Sequence, residues 1–176
     1  MLTRQSLLLW WGLTVTAAYL LTEYFGHALD HGHSAVLWTW VVAMLVPVVG
    51  SVLMGRRANA LIWVWAVATI LAMLQNLWVH AAHQEPLMPF SYHTLWYAFG
   101  ALGFAYTAIV VDGSARRQLY GLAAVLNLVG AILIFLNKEI MSGYQYLVLA
   151  LIQGVPMLLD LPLRKRRHVG EKQAID

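Results

Sequence analysis

Cysteine is absent from this chain of 176 residues. Its absence excludes disulfide bonds, zinc–thiolate centres, iron–sulfur clusters, covalent c-type heme attachment and a cysteine nucleophile. Charged residues are also scarce, at 11% of the sequence against roughly 25% in soluble proteins, whereas 61% is hydrophobic. A soluble core of this size could not bury so much apolar surface, so the composition predicts an integral membrane protein.

The hydrophobic residues fall into six runs, each close to the roughly 20 residues that a helix needs to cross a bilayer. Uninterrupted apolarity over such lengths indicates helices, because membrane strands are about half as long and alternate in polarity. We therefore expect an all-α integral membrane fold, a bundle of six transmembrane helices over residues 1–163 followed by a basic tail at 164–176. The predicted spans are 6–25, 34–54, 60–79, 94–111, 119–136 and 144–163.

Positive charges occur in every second connection, so nearly all of them lie on one side of the predicted bundle. Arginine precedes the first span and follows the second, fourth and sixth, and the opposite side carries only Lys138. Cytoplasmic loops are enriched in Lys and Arg, so both termini are expected in the cytoplasm and the chain in an inner (plasma) membrane. We therefore expect the basic tail to contact lipid headgroups and to pair with Asp160, and we do not expect it to bind nucleic acid. The arginines concerned are Arg4, Arg56, Arg57, Arg116, Arg117 and those of the run 164–167.

Six of the seven histidines fall on the predicted outer side of the bundle. Near the end of the first span, Glu23, His27 and His31 are spaced i, i+4 and i+8, so they share one helix face. Asp30 stands beside His31, and His33 opens the second span. This polar stripe is the first of two.

The second stripe lies at the end of the third span, where Asn76, His80 and His83 are spaced i, i+4 and i+7. His93 opens the fourth span on the same side. Polar residues at membrane depth are costly and often functional. We expect the first and third spans to be neighbours, because only then do the two stripes meet in one site.

The first interpretation of this site is a transition-metal centre. Imidazoles bind Cu, Zn and Fe, and a metal-ligating histidine commonly has a carboxylate partner. His27, His31, His80 and His83 are the candidate ligands, with Glu23 as a further ligand or orienting carboxylate. Asp30, Asn76, His33 and His93 are the candidate supporting residues.

The second interpretation is one heme b, which takes an axial histidine from each of two helices. His27 and His80 are the candidate axial pair, and His33 and His93 are possible substitutes. Either cofactor would serve electron transfer or metal handling, in this chain alone, in a homo-oligomer or in a larger membrane complex.

Other interpretations need no cofactor. Outer histidines titrate between about pH 5 and 8 and could gate a small channel or transporter. They could also be solvated residues at an interface of a non-catalytic accessory subunit. The sequence assigns no catalytic residue, and whether it encodes an enzyme stays open. Asn127 and Gln153, inside the fifth and sixth spans, are equally compatible with helix packing and with function.

Overall fold

A computed structural model describes residues 3–28, 33–55, 58–83, 85–137, 139 and 143–163, with the backbone alone at 4, 5, 28, 33 and 34. The described residues form six long helices, in agreement with the all-α prediction. They are α1 (Arg4–Ala28), α2 (His33–Met54), α3 (Ala60–Ala81), α4 (Tyr92–Val110), α5 (Ser114–Leu136) and α6 (Gln145–Leu163). A short 3₁₀ helix, Glu85–Phe90, connects α3 to α4.

Four of these helices are long and apolar enough to cross a membrane: α2 from Ala35, α3, α5 and α6. Their exposed surfaces carry large apolar side chains such as Leu53, Leu71 and Leu136, which fits contact with lipid. The sequence predicts spans at α1 and α4 as well. Both helices contain polar, aromatic and small residues that lower their mean hydropathy, with Glu23 and His27 in α1.

The helices alternate in direction, so the bundle has two chemically distinct ends. The histidine end, as we name it, contains the ends of α1, α3 and α5 and the starts of α2, α4 and α6. The arginine end is the opposite one, where Arg116 of α5 meets Asp160 of α6. Helix α1 packs mainly on α2 and α6, α3 on α2 and α4, and α4 on α5.

The sequence predicts that the first and third helices are neighbours, but α1 and α3 are not among the closely packed helix pairs, and their side chains meet toward the arginine end. There the rings of Trp11 and Trp65 meet edge to face, with 6.1 Å between their centroids. Toward the histidine end, the Trp40 ring of α2 packs against the rings of Tyr19 in α1 and Trp96 in α4. The distances between ring centroids are 4.6 Å and 5.3 Å. Helix α2 therefore contributes a large ring between α1 and α4 at the level where the two polar stripes begin.

A buried hydrogen-bond network joins four helices around Gln153 of α6. Its side-chain oxygen accepts a hydrogen bond from the Tyr19 hydroxyl (2.9 Å), and its amide nitrogen donates to the Asn127 side chain (2.7 Å) and to the Trp96 carbonyl (2.8 Å). Asn127 donates in turn to the Ala123 carbonyl. These bonds satisfy polar groups that have no access to water, so the packing interpretation of Asn127 and Gln153 has direct structural support.

Two local features bring Gln153 into this position. Residues Ala150–Gly154 form a π-helical turn within α6, a geometry that interrupts regular packing and is frequent at functional sites. On the facing helix α4, a Cβ at Gly100 would collide with the side chains of Asn127 and Gln153. Small residues in α4 therefore permit the close helix contact that the sequence predicts.

At the arginine end, Arg116 forms a bidentate ion pair with the buried carboxylate of Asp160. The Asp160 side chain is 1% exposed and the Arg116 side chain 14%. The sequence favours the basic tail at 164–176 as the partner of Asp160, and this tail lies outside the described residues. Among the described residues Asp160 pairs with an arginine of α5, because the start of α5 lies beside the end of α6.

Replacing Arg116 by Met should lower the free energy of unfolding by about 3 kcal/mol, because it leaves the Asp160 carboxylate buried without its guanidinium. The double variant Arg116→Met/Asp160→Leu should recover most of this loss, since it removes both charges. Denaturant titration of the purified protein in detergent measures both values. Arg117→Met is the matched control, because Arg117 bonds the Val111 carbonyl and not a carboxylate. Equal stability of Arg116→Met and the native protein would contradict this role.

Candidate ligand cavity at the histidine end

A cavity of about 410 Å³ lies at the histidine end of the bundle. Its volume is within the range of roughly 300–1,000 Å³ that is usual for small-molecule and cofactor sites. Helices α2, α3, α4 and α6 and the 3₁₀ helix all contribute to its wall. The lining residues are Val36, Leu37, Trp40, Met73, Asn76, His80, Met88, Tyr92, His93, Trp96 and Tyr146.

Aromatic rings form much of this wall and are held by contacts within the bundle. The indoles of Trp40 and Trp96 are stacked, with an interplanar angle of 18°. The Trp40 indole N–H donates to the Thr22 hydroxyl at 2.8 Å, and the Trp96 carbonyl is bound by Gln153. The cavity therefore has a rigid aromatic side, which suits a flat apolar ligand.

Asn76 is the most deeply buried polar group of the wall, at 5% exposure. Its side-chain oxygen accepts a hydrogen bond from the backbone N–H of Tyr92 at 2.8 Å. Asn76 also lines the cavity, where its side-chain NH₂ group can donate a hydrogen bond to an acceptor group of a ligand.

The backbone of Tyr92 is held in an unusual conformation at the cavity wall. Its φ is +53°, in the left-handed region that bulky residues rarely adopt. Its backbone N–H donates a hydrogen bond to the Asn76 side chain, and Tyr92 is the first residue of α4. Such strain persists where the surroundings hold it and is common at binding sites.

Two histidines from different helices line the cavity. His80 lies one turn beyond Asn76 on α3, and His93 lies in the first turn of α4. The His93 ring also meets the Tyr146 ring edge to face at 6.1 Å. The sequence predicts His80 as a principal ligand and His93 as a substitute, and the structure places both on one wall.

Glu23 and His27 of the first stripe lie outside the described wall of the cavity. Glu23 of α1 caps α6, because its carboxylate accepts the backbone N–H groups of Tyr146 (3.1 Å) and Leu147 (3.3 Å). His27 is largely exposed, with its Nδ1 atom 2.8 Å from the Glu23 carbonyl oxygen. Neither residue is among the described lining residues of the cavity. The described wall therefore contains His80 without His27, whereas the sequence predicts both in one site.

Of the other predicted residues, the structure describes the side chain of His83 and does not bring it to the cavity wall. His83 is exposed just beyond α3, with φ of +47°, and it is not among the described lining residues. Asp30 and His31 lie outside the described residues, as does the side chain of His33. Within the part of the chain that the structure describes, no group of three or more histidine or acidic side chains is placed to hold a metal ion.

Sequence reasoning did not identify Met73, Tyr92 and Tyr146 as residues of the site. Each belongs to an apolar or aromatic stretch whose default role is packing or an interfacial belt. Tyr146 lies 123 residues from Glu23, the residue that caps its helix. The available signal was the helical spacing of Met73, Asn76 and His80, which places them on one face of α3.

The fold and the cavity define an all-helical protein with four helices that can span a membrane and a histidine-containing cavity at one end. No protein-family model, curated protein or solved structure matches this chain.

Replacing Glu23 by Ala should increase hydrogen exchange in the first turn of α6 by roughly five- to tenfold. The reason is that an N-terminal cap contributes about 1 kcal/mol to local stability. Exchange measured by mass spectrometry on the peptide that contains Tyr146 and Leu147 tests this effect. Glu139→Ala, which removes an exposed carboxylate nearby in the sequence, is the control. Unchanged protection in the Glu23 variant would show that the carboxylate does not cap α6.

Proposed function

We propose that this chain is a six-span membrane protein whose outward-facing cavity binds one heme b for electron transfer. The observation that carries the proposal is the presence of His80 and His93, from two different helices, on the wall of one aromatic cavity of about 410 Å³. Helices α1 and α4 complete the membrane bundle in this proposal. Both termini lie in the cytoplasm of a prokaryotic cell, and the histidine end faces outward.

The orientation rests on the distribution of arginine and lysine. In the sequence Arg56 and Arg57 follow α2, Arg116 and Arg117 lie in the first turn of α5, and the run 164–167 follows α6. The histidine end carries Lys138 alone. By the positive-inside rule the arginine end is cytoplasmic. The cavity then opens at the outer surface of the membrane.

The cavity favours heme over a bare metal ion because of its size and its wall. A metal ion needs several ligands converging on one point, whereas heme b needs one or two axial ligands and a large apolar slot. His80 and His93 would hold the group, and the stacked Trp40 and Trp96 would shield its ring. Heme b supplies one-electron redox chemistry when bound. The Asn76 NH₂ group can donate a hydrogen bond to a carboxylate or carbonyl of the bound group.

One observation favours a second candidate, a copper-handling protein. The thioethers of Met73 and Met88 line the same cavity as the two imidazoles. Thioether and imidazole ligands together suit copper better than zinc. This candidate shares the site with the heme proposal and differs only in the group bound, so one purification distinguishes them.

The proposed topology predicts opposite results for two reporter fusions. Alkaline phosphatase, which is active only outside the cytoplasm, should be active when fused after Glu139 and inactive when fused after residue 167. A fluorescent protein that folds only in the cytoplasm should show the reverse pattern. Activity of the phosphatase after residue 167 would place the C-terminus outside and contradict both the topology and the outward-facing cavity.

The purified protein should bind one hemin per chain and show a Soret band. His80→Ala and His93→Ala should each weaken hemin binding at least tenfold, because each removes a nitrogen ligand from the cavity wall. His27→Ala and His83→Ala are the matched controls, since both residues lie outside the described wall, and they should bind hemin as the native protein does.

Two results would contradict the heme proposal. One is a colourless protein that does not take up hemin, and in that case stoichiometric copper would support the second candidate. The other is an equal loss of affinity in all four histidine variants, which would show that hemin binds the exposed imidazoles without selecting the cavity.

A further inference from the structure

A second cavity of about 320 Å³ adjoins the first at the histidine end. The start of α4, the end of α5 and the 3₁₀ helix form its wall. Met88 and His93 line both cavities. A molecule in the second cavity would therefore be separated from a group in the first by these two side chains.

The wall of the second cavity combines hydrogen-bonding groups with an apolar side. Glu85, His93 and Thr94 supply a carboxylate, an imidazole and a hydroxyl group. Ile134 and Phe135 of α5 supply the apolar side, and the Phe135 ring lies 6.1 Å from that of Phe90. Such a wall fits a small polar ring that carries an apolar chain.

The outer side of this cavity continues into the apolar surface of α5. Phe135 is 62% exposed and its neighbour Leu136 is 75% exposed. In a membrane-spanning bundle these side chains face lipid acyl chains. A ligand could enter from the bilayer and leave its hydrocarbon chain there.

The charges of the wall restrict the chemical class of this ligand. Lysine and arginine are absent from its described residues, and Glu85 is acidic. Phospholipid phosphates and fatty-acid carboxylates would meet repulsion from Glu85, which no cation of the described wall offsets. A neutral ring with hydroxyl groups would instead donate a hydrogen bond to the Glu85 carboxylate.

We propose that the second cavity binds the headgroup of a membrane-soluble isoprenoid quinol. The electron-transfer part of this inference rests on the proposed heme in the first cavity. Oxidation of one quinol to the quinone releases two electrons and two protons. Hemes held in the first cavities of two protein molecules would each take one electron, and both protons would pass by way of the Glu85 carboxylate to water at the outer surface.

Photolabelling tests quinol binding independently of heme. The heme-free protein in lipid nanodiscs is irradiated with an azido-substituted quinone, and the labelled peptides are identified by mass spectrometry. Label is expected in the segments 85–94 and 130–136, and a tenfold excess of unlabelled quinone should reduce it at least fivefold. Thr94→Trp, which fills the cavity, should abolish this competed label. Leu136→Trp, at a lipid-facing position outside the described wall, should leave it unchanged.

Label that is scattered over the lipid-facing helices, or that excess quinone does not compete, would overturn the quinol site whether or not heme binds. A competed label in a protein that fails to bind hemin would support the second cavity and overturn the proposed function of the first. The two failures are therefore distinguishable.

The electron-transfer step is tested with hemin-loaded protein and a short-chain quinol. Heme reduction followed by absorbance should be about tenfold slower in Glu85→Gln, because the amide cannot accept the quinol proton. Reduction by dithionite should be the same in both proteins. Glu139→Gln should behave as the native protein does. Equal quinol rates in Glu85→Gln and the native protein would overturn the role of Glu85.

Discussion

The requirement to satisfy the buried amide of Gln153 determines how four of the six helices pack. In an apolar interior an unpaired amide costs several kcal/mol, so its partners are constrained almost as strongly as the side chain itself. Tyr19, Trp96 and Asn127 meet it from α1, α4 and α5. The π-helical turn in α6 and the glycine at position 100 are the local adjustments that permit these contacts.

The cavity at the histidine end depends on this network. Gln153 holds the backbone of Trp96, and the Trp96 indole stacks on Trp40, which is bonded to Thr22 of α1. On the other side, Glu23 caps the first turn of α6 and so positions Tyr146. Glu23 and Gln153 are candidate functional residues in the sequence. In the structure they hold residues of the cavity wall in place. His80, His93 and Asn76 are among the polar residues of this wall.

Much of this fold could be predicted from apolar run lengths, since the observed α2, α3 and α5 begin or end within a few residues of the predicted spans. Helical spacing correctly placed Asn76 and His80 on one face. It could not show which helix that face meets, because helix order around a bundle is set by pairwise packing of side chains distant in sequence. The insertion of Trp40 between the rings of Tyr19 and Trp96 is such a feature. Tyr146 was equally inaccessible to sequence reasoning, because its role depends on a cap from α1.

The central claim is that a cavity beside Met73 opens outward and holds a heme-sized ligand. Since the chain has no cysteine, the variant Met73→Cys carries a single thiol, at a position that lines the cavity and is 7% exposed. Labelling of intact cells with a membrane-impermeant thiol reagent measures access to this position. The account predicts labelling from the outside that hemin blocks. Labelling only after the cells are opened, or labelling that hemin does not change, would contradict it.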